Sequence, residues 1–290
     1  PGIVLIRVGD DPASEVYVAS KERACRQIGV ASEVLHLPAE TSEDTLLARV
    51  RETGARGDVD GVLVQLPLPR GLDEDRVLDA IAPEKDVDGF HPRNVGLLTL
   101  GMPRFIPATP LGILKIMAFY GIDPAGREVV ILGRSRIVGR PLANLLSSKL
   151  PGGNATVTVC HTRTPDLPAV TRRAEILVVA AGQKRMVTAE WVAEAATVID
   201  VGIHREPHPE KPGKMRVCGD VDFDSVEPKV AAITPVPGGV GLMTVASLLA
   251  NTVDAAERRA GQRSVHPTVQ PAGQGSGQPA GQQAGQRPGM

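Results

Sequence analysis

Short runs of β-branched and other apolar residues recur along the chain, most of them closed by glycine or proline, with amphipathic stretches between them. The runs are GIVLIRVG (2–9), ASEVLHL (31–37), GVLVQLP (61–67), EVVILG (128–133), TVTVC (156–160), ILVVAAG (176–182), TVIDVGI (197–203) and AAITPV (231–236). Most have the signature of strands covered on both faces. Residues 14–28, 42–53 and 110–120 carry helical spacing. Strand alternating with helix predicts an α/β fold of parallel sheets with right-handed crossovers. Pro107 and Pro110 start a helix and GIDPAG (121–126) ends it, which marks a junction between two αβ domains.

That punctuation divides the chain into a first domain at 1–106 and a second, Rossmann-like domain at 107–239, with a cleft between them. A helix over 240–260 is expected to return to the first domain, because its apolar residues recur at helical spacing. Residues 261–290 are rich in Gly, Gln, Pro and Ala and lack Leu, Ile, Phe and acids. Such a segment cannot bury enough apolar surface to offset its ordering entropy, so a disordered tail is expected.

Composition narrows the class. Of 290 residues, 42% are hydrophobic and 22% charged, with a formal net charge of −1, which is that of a soluble globular protein without a broad basic surface for nucleic acid. No apolar run reaches membrane-spanning length and no signal-peptide pattern opens the chain. Cys25, Cys160 and Cys218 have no CxxC spacing and an odd count, so reduced thiols in a cytoplasmic protein are expected, with no metal site.

Five stretches carry candidate chemistry. In SEVYVASK (14–21), Tyr17 and Lys21 stand at i and i+4, one face of a helix. In VVILGRSRIVGRP a strand runs into Gly133, and Gly139 opens a helix six residues later, where helix amides can hold a pyrophosphate. Ser135 takes the middle glycine position of the usual dinucleotide pattern. The next strand ends in His161, Thr162 and Arg163 with no acid, and Arg134 lies in the glycine turn. Two guanidiniums without a ribose-binding acid suit a 2′-phosphate and favour NADP over NAD; solvated loop arginines are the alternative.

Gln65 sits at a strand's carboxyl end before Pro67 and Pro69, either in a site or as a satisfied buried amide. The tetrapeptide DVDG occurs at 58–61 and again at 86–89, so Asp88 alone reads as an Asp-Gly turn. Pro237, Gly238, Gly239 and Gly241 form a loop ahead of Thr244 that either admits a flat ligand or serves as a hinge.

Taken together and in order, VGDDPASEVYVASKERAC, GVLVQLPLP, PEKDVDGFHPRNVG, PATPLGILK, GRSRIVGRP, ATVTVCH, VIDVGI, GDVDF and ITPVPGGVG resemble the bifunctional methylenetetrahydrofolate dehydrogenase / methenyltetrahydrofolate cyclohydrolase family. The resemblance runs to about Arg259. It implies that Lys21 is the catalytic lysine, that Tyr17 lines the folate pocket, that Gln65 tunes the lysine and that Asp88 holds the pterin's donor edge. Leu66, Pro67, Pro237, Gly238 and Gly239 are implied for the substrate. Gly133, Arg134, Ser135, Ile137, Thr162, Arg163, Ala181, Gly182, Gly202 and Ile203 are implied for NADP.

A homodimer acting on one-carbon tetrahydrofolate derivatives is also implied. The family pattern carries a further helical segment ahead of Gly2, so a segment before Pro1 is expected. Leu242 stands where the family usually has proline, and Ala108 where it often has cysteine. Two rivals remain at this level: another two-domain NADP oxidoreductase such as a shikimate-type dehydrogenase, and a binding protein that has lost catalysis.

Overall fold

The computed structural model describes residues 1–208 and 213–261. The tail expected over 261–290 lies outside them, apart from Gly261.

The first sheet is built from Gly2–Val8 (β1), Ala31–Leu37 (β2) and Gly61–Val64 (β3), all parallel in the order β2-β1-β3. Helix Pro12–Gln27 (α1) links β1 to β2, and Glu43–Ala55 (α2) links β2 to β3. The start of α1 is fixed by Asp11, whose carboxylate accepts from Ser14 N at 2.7 Å, and by Pro12 in the first turn. The period-two alternation of a strand then sorts the core. Val4, Ile6 and Val8 face Leu46, Leu47 and Val50 of α2, while Ile3 and Leu5 face the opposite side with Val18 and Cys25 of α1. Glu74–Asp79 (α3) and Pro92–Thr99 (α4) follow, then Ala108–Phe119 (α5). Pro107 is the cap of α5, and Gly121 at φ +67° ends the turn behind it.

The second sheet contains Glu128–Leu132 (β4), Thr156–Cys160 (β5), Ile176–Val179 (β6) and Thr197–Asp200 (β7). Between them run helices Gly139–Ser147 (α6), after β4, and Leu167–Thr171 (α7), after β5. A hairpin of His204–Pro207 (β8) and Met215–Cys218 (β9) comes next, then Phe223–Val226 (α8), Ala232–Ile233 (β10) and Val240–Arg259 (α9). The five parallel strands lie in the order β10-β7-β6-β4-β5. From β4 the chain steps outward to β5, then crosses back to β6 on the other side. The carboxyl ends of β4 and β6 therefore flank the point where the winding reverses, the place at which such sheets open a ligand crevice.

Helices α5 and α9 join the two sheets. At their crossing a Cβ on Gly112 would stand 3.0 Å from the Met243 backbone, so this approach needs glycine. Further along α9, Leu248, Leu249 and Ala255 enter the core under Ile3 and Leu5, and Asn251 Nδ2 donates to the carbonyls of Val87 and Ile106 at 2.8 and 2.9 Å.

Two elements differ from the expected pattern. Strand β2 is largely exposed, being an edge strand, and not covered on both faces. The β8–β9 hairpin carries no continuous apolar run, since His204, Arg205, Glu206 and Arg216 supply much of its length. It is held by charge: Glu206 Oε1 accepts from Arg216 Nε at 2.7 Å and Arg185 at 2.9 Å.

Candidate active site

Helix α1 turns Tyr17 and Lys21 to one face, one turn apart. Lys21 Nζ donates to Gln65 Oε1 at 3.0 Å, and Gln65 Nε2 donates to the Leu66 carbonyl at 2.7 Å. The backbone of Gln65 extends the ladder one step beyond β3, its N–H donating to Ile6 O at 2.8 Å. The amide is thus satisfied at both ends: an ammonium has only donors, so the glutamine oxygen must face it. Burial lowers the Lys21 pKa from its ordinary value, and the nearby Asp88 charge partly restores it. Tyr17 is 39% exposed, and its hydroxyl pKa is raised by burial and held down by the Arg205 cation.

The two DVDG copies divide into different work. In the first, Asp58 pairs with Arg56, and buried Asp60 accepts from Gly2 N at 2.9 Å and Arg259 Nε at 2.6 Å. In the second, the fully buried Asp86 accepts from Phe90 N, His91 N and Asn94 Nδ2 at 3.2, 2.8 and 2.8 Å. Asp88 has no hydrogen-bond partner among the described residues. Burial pushes its pKa up to about 6; the Lys21 ammonium opposes that shift and Asp86 adds to it. The turn behind it requires Gly89, at φ +73° with Pro107 N only 3.1 Å from where a Cβ would stand. Asp86 therefore builds the loop and leaves Asp88 free beside the lysine.

Across the cleft, Gly133 leaves β4 at φ +132°, and a Cβ there would lie 2.2 Å from the Ala180 carbonyl at the end of β6. A Cβ on Gly139 would meet Gly133 O at 2.1 Å. Both glycines are imposed by the backbone crowding of this turn. Ser135 Oγ accepts from Val138 N at 3.1 Å and Gly139 N at 3.4 Å, so it ties down the turn that opens α6 and keeps its own proton for an outside acceptor. Arg134, Thr162 and Arg163 are exposed, and neither arginine has a carboxylate partner among the described residues. Arg136 is different: it pairs with Asp75 and Glu74 of α3, across the cleft. A cavity of about 460 Å³ joins the halves, with Leu66, Pro67 and Phe90 on one side and Ser135, Ile137 and Arg140 on the other.

Family comparison places this arrangement. The tetrahydrofolate dehydrogenase/cyclohydrolase catalytic domain matches residues 1–88, and the NAD(P)-binding domain of the same family matches 107–260. The bifunctional protein FolD of Salinibacter ruber is 54% identical over 260 residues, 90% of this chain and 87% of that protein. The chain belongs to the tetrahydrofolate dehydrogenase/cyclohydrolase family.

Solved structures agree. The bifunctional FolD enzyme, methylenetetrahydrofolate dehydrogenase/cyclohydrolase, of Campylobacter jejuni is 47% identical, with a TM-score of 0.82 over 89% of this chain and 88% of that one. The Trypanosoma brucei N5,N10-methylenetetrahydrofolate dehydrogenase-cyclohydrolase, solved with NADP cofactor and an inhibitor, is 38% identical, with a TM-score of 0.84 over 90% and 88%.

Sequence reasoning for this dehydrogenase/cyclohydrolase missed the acids that hold the cofactor-side loops. Asp220 Oδ2 accepts from Ala181 N and Gly182 N at 2.7 and 2.9 Å, and its Oδ1 lies 2.6 Å from His204 Nε2. Asp200, at the end of β7, accepts from Gly202 N at 2.9 Å and from Asp220 N and Val221 N at 3.0 Å. Burial raises the Asp200 pKa to about 6 against those hydrogen bonds, and Asp220 pushes it the same way. Ala181, Gly182, Gly202 and Ile203 thus gather at the carboxyl ends of β6 and β7. The available signal was an acid closing a buried strand in VIDVG, answered by GDVDF. Pro237 lies in the loop ahead of α9, and Gly238 and Gly239 of that loop line a different cavity, against α5 and the β10 edge.

Proposed function

We propose that Lys21 is the proton-handling group of an enzyme that oxidises 5,10-methylenetetrahydrofolate with NADP and hydrolyses the 5,10-methenyl product to 10-formyltetrahydrofolate. The observation that carries this reading is the Lys21–Gln65 hydrogen bond with an unpartnered Asp88 beside it. The cofactor side fits a dinucleotide: the Gly133–Gly139 turn leaves no room for side chains between β4, β6 and α6. Arg134 and Arg163 offer two uncommitted guanidiniums for a 2′-phosphate. When bound, NADP supplies the hydride acceptor.

For the oxidation, the protein's task is mainly alignment, because the adjacent nitrogens of the substrate stabilise the cation that forms at the methylene carbon. Asp88 grips the pterin's donor edge and Tyr17 forms the wall beside it. For the hydrolysis, water attacks the methenyl carbon and a carbon–nitrogen bond opens, so protons must be moved. A lysine titrating near 10.4 is a poor shuttle at neutral pH. Burial lowers that value, and Gln65 holds the amine in place. Leu66, Pro67, Pro237, Gly238 and Gly239 complete the folate side. Ser135, Ile137, Thr162, Ala181, Gly182, Gly202 and Ile203 complete the cofactor side. The family resemblance extends the reading to a homodimer working in the cytoplasm on tetrahydrofolate derivatives; among the described residues, no helix is long and apolar enough to cross a membrane.

The reading is tested by assaying both reactions on the chain as a function of pH. Asp88 must be ionised to accept from the substrate, so kcat/KM falls by about tenfold per pH unit below its pKa of about 6. In Lys21→Met the ammonium no longer opposes protonation of Asp88, so the acid limb of the remaining dehydrogenase activity moves to higher pH. In Asp88→Asn the limb disappears. A limb that persists in Asp88→Asn assigns it to another group.

Cofactor choice is tested by combining Arg134→Ala with Arg163→Ala. Losing two charge-assisted contacts raises the KM for NADP by about 100-fold and leaves that for NAD nearly unchanged. Steady-state kinetics with the two dinucleotides measures this, and an equal change for both would remove the arginines from 2′-phosphate recognition.

A further inference from the structure

Behind the loop that precedes α9 lies a cavity of about 940 Å³, between the carboxyl half of α5 and the β7–β10 edge of the second sheet. Tyr17, Lys21, Gln65, Asp88, Gly133 and Ser135 do not line it, whereas Gly238 and Gly239 do. Its walls include Ile116, Ile122, Val198, Ile233 and Met243. Three large apolar residues stand at it and in solvent: Phe119 at 74% exposure, Tyr120 at 71% and Leu242 at 67%. The rings of Phe119 and Tyr120 meet edge to face with centroids 5.0 Å apart.

One charged side chain lines this apolar space, and it is Lys115. It is half-buried and has no hydrogen bond or ion pair among the described residues. It lies one helical turn before Phe119, on the same face of α5. Its pKa is lowered by burial alone, with no carboxylate nearby to oppose the shift. A part-desolvated cation without a counter-ion is the unfavourable half of an ion pair, and a charge of opposite sign brought to it recovers that cost. The cavity's size is that of a small-molecule pocket, with apolar walls and one polar anchor.

We propose that this cavity is a second ligand site, for an amphipathic organic anion whose apolar body lies along Ile116, Val198 and Ile233 and whose carboxylate or sulfonate meets Lys115 Nζ. Leu242 and the exposed Phe119 and Tyr120 rings close over the apolar end. The site shares Gly238 and Gly239 with the proposed folate side and no residue with the cavity at Ser135, Ile137 and Arg140, so NADP does not fill it.

The test uses the full chain with saturating NADP, which fills the dinucleotide cleft, and 8-anilinonaphthalene-1-sulfonate as a fluorescent probe. Saturable binding of one probe per chain is expected. Lys115→Met keeps the length of the side chain and removes its charge; it weakens the probe by about tenfold, the effect of one part-buried ion pair. The uncharged N-phenyl-1-naphthylamine binds parent and variant alike. Retained dehydrogenase activity shows that Lys115→Met is folded. If it does not fold, Leu242→Glu replaces it, since an acid at the mouth weakens the anion in the same direction.

Equal affinity of the anionic probe for parent and variant overturns the proposal, as does loss of all saturable binding when NADP is present. Sedimentation gives a third outcome: if Phe119→Glu turns a dimer into monomers, the face belongs to a second copy of the chain and not to a small anion.

Discussion

Replacing Lys21 by methionine stops the hydrolysis of methenyltetrahydrofolate, lowering its kcat by about 10³-fold, within the range that a positioned acid–base group supplies. Methionine keeps most of the stem and removes the ammonium, so the packing of α1 against the first sheet is little disturbed. Gln65 then loses the donor 3.0 Å from its oxygen, and Asp88 loses the cation that stabilises its charge. The NADP-dependent oxidation falls much less, because it asks for alignment of the methylene carbon and not for a proton shuttle. Following both reactions spectrophotometrically in parent and variant separates the two demands. Undiminished hydrolysis in Lys21→Met would take the proton from the lysine and give it to another group.

The second large effect lies on the other wall of the cleft. In Gly133→Ala the NADP-dependent oxidation is lost, with the KM for NADP rising by more than about 100-fold, while methenyltetrahydrofolate supplied directly is still hydrolysed. The new Cβ would stand 2.2 Å from the Ala180 carbonyl, at a φ of +132° that alanine avoids. Strain and overpacking together cost about 3 kcal/mol, enough to displace the turn from the end of β6. Hydrolysis needs Lys21, Gln65 and Asp88, which lie on the first-sheet side. Titration with NADPH, followed by its fluorescence, and a thermal melt distinguish a displaced turn from a collapsed second sheet; in the latter case both activities disappear together.

Much of the fold was legible because its strands are short, apolar and covered. Val129, Val130, Ile131 and Leu132 are all buried, and a run of that kind has one place to go. The β8–β9 hairpin gave no such signal, since its stability rests on Glu206 and its arginines and not on an apolar face. The candidate site was legible in a different way. Lys21 and Gln65 lie 44 positions apart, and no spacing rule links the end of β3 to the last turns of α1. Their pairing came from the family phrases in which each residue sits.

Asp86 and Asp88 show the limit of local pattern. In the same tetrapeptide at 58–61 the second acid, Asp60, is committed to Arg259, and only the surroundings of the second copy leave its second acid free. Asp200 and Asp220 were hidden for a related reason. Their partners are backbone N–H groups of loops distant in sequence, which carry no residue signature.

Helix α9 is the last element among the described residues, yet Leu248, Leu249 and Ala255 cover the face of the first sheet that includes Ile3 and Leu5. On the ribosome, then, the first sheet waits with one apolar face uncovered while the whole of the second sheet is still being translated. At a few to about 20 residues per second that interval lasts many seconds. Nascent chains arrested after Gly239 therefore present that face to chaperones, and release from them coincides with emergence of α9. The half that holds Lys21 is finished only after the half that holds the dinucleotide turn.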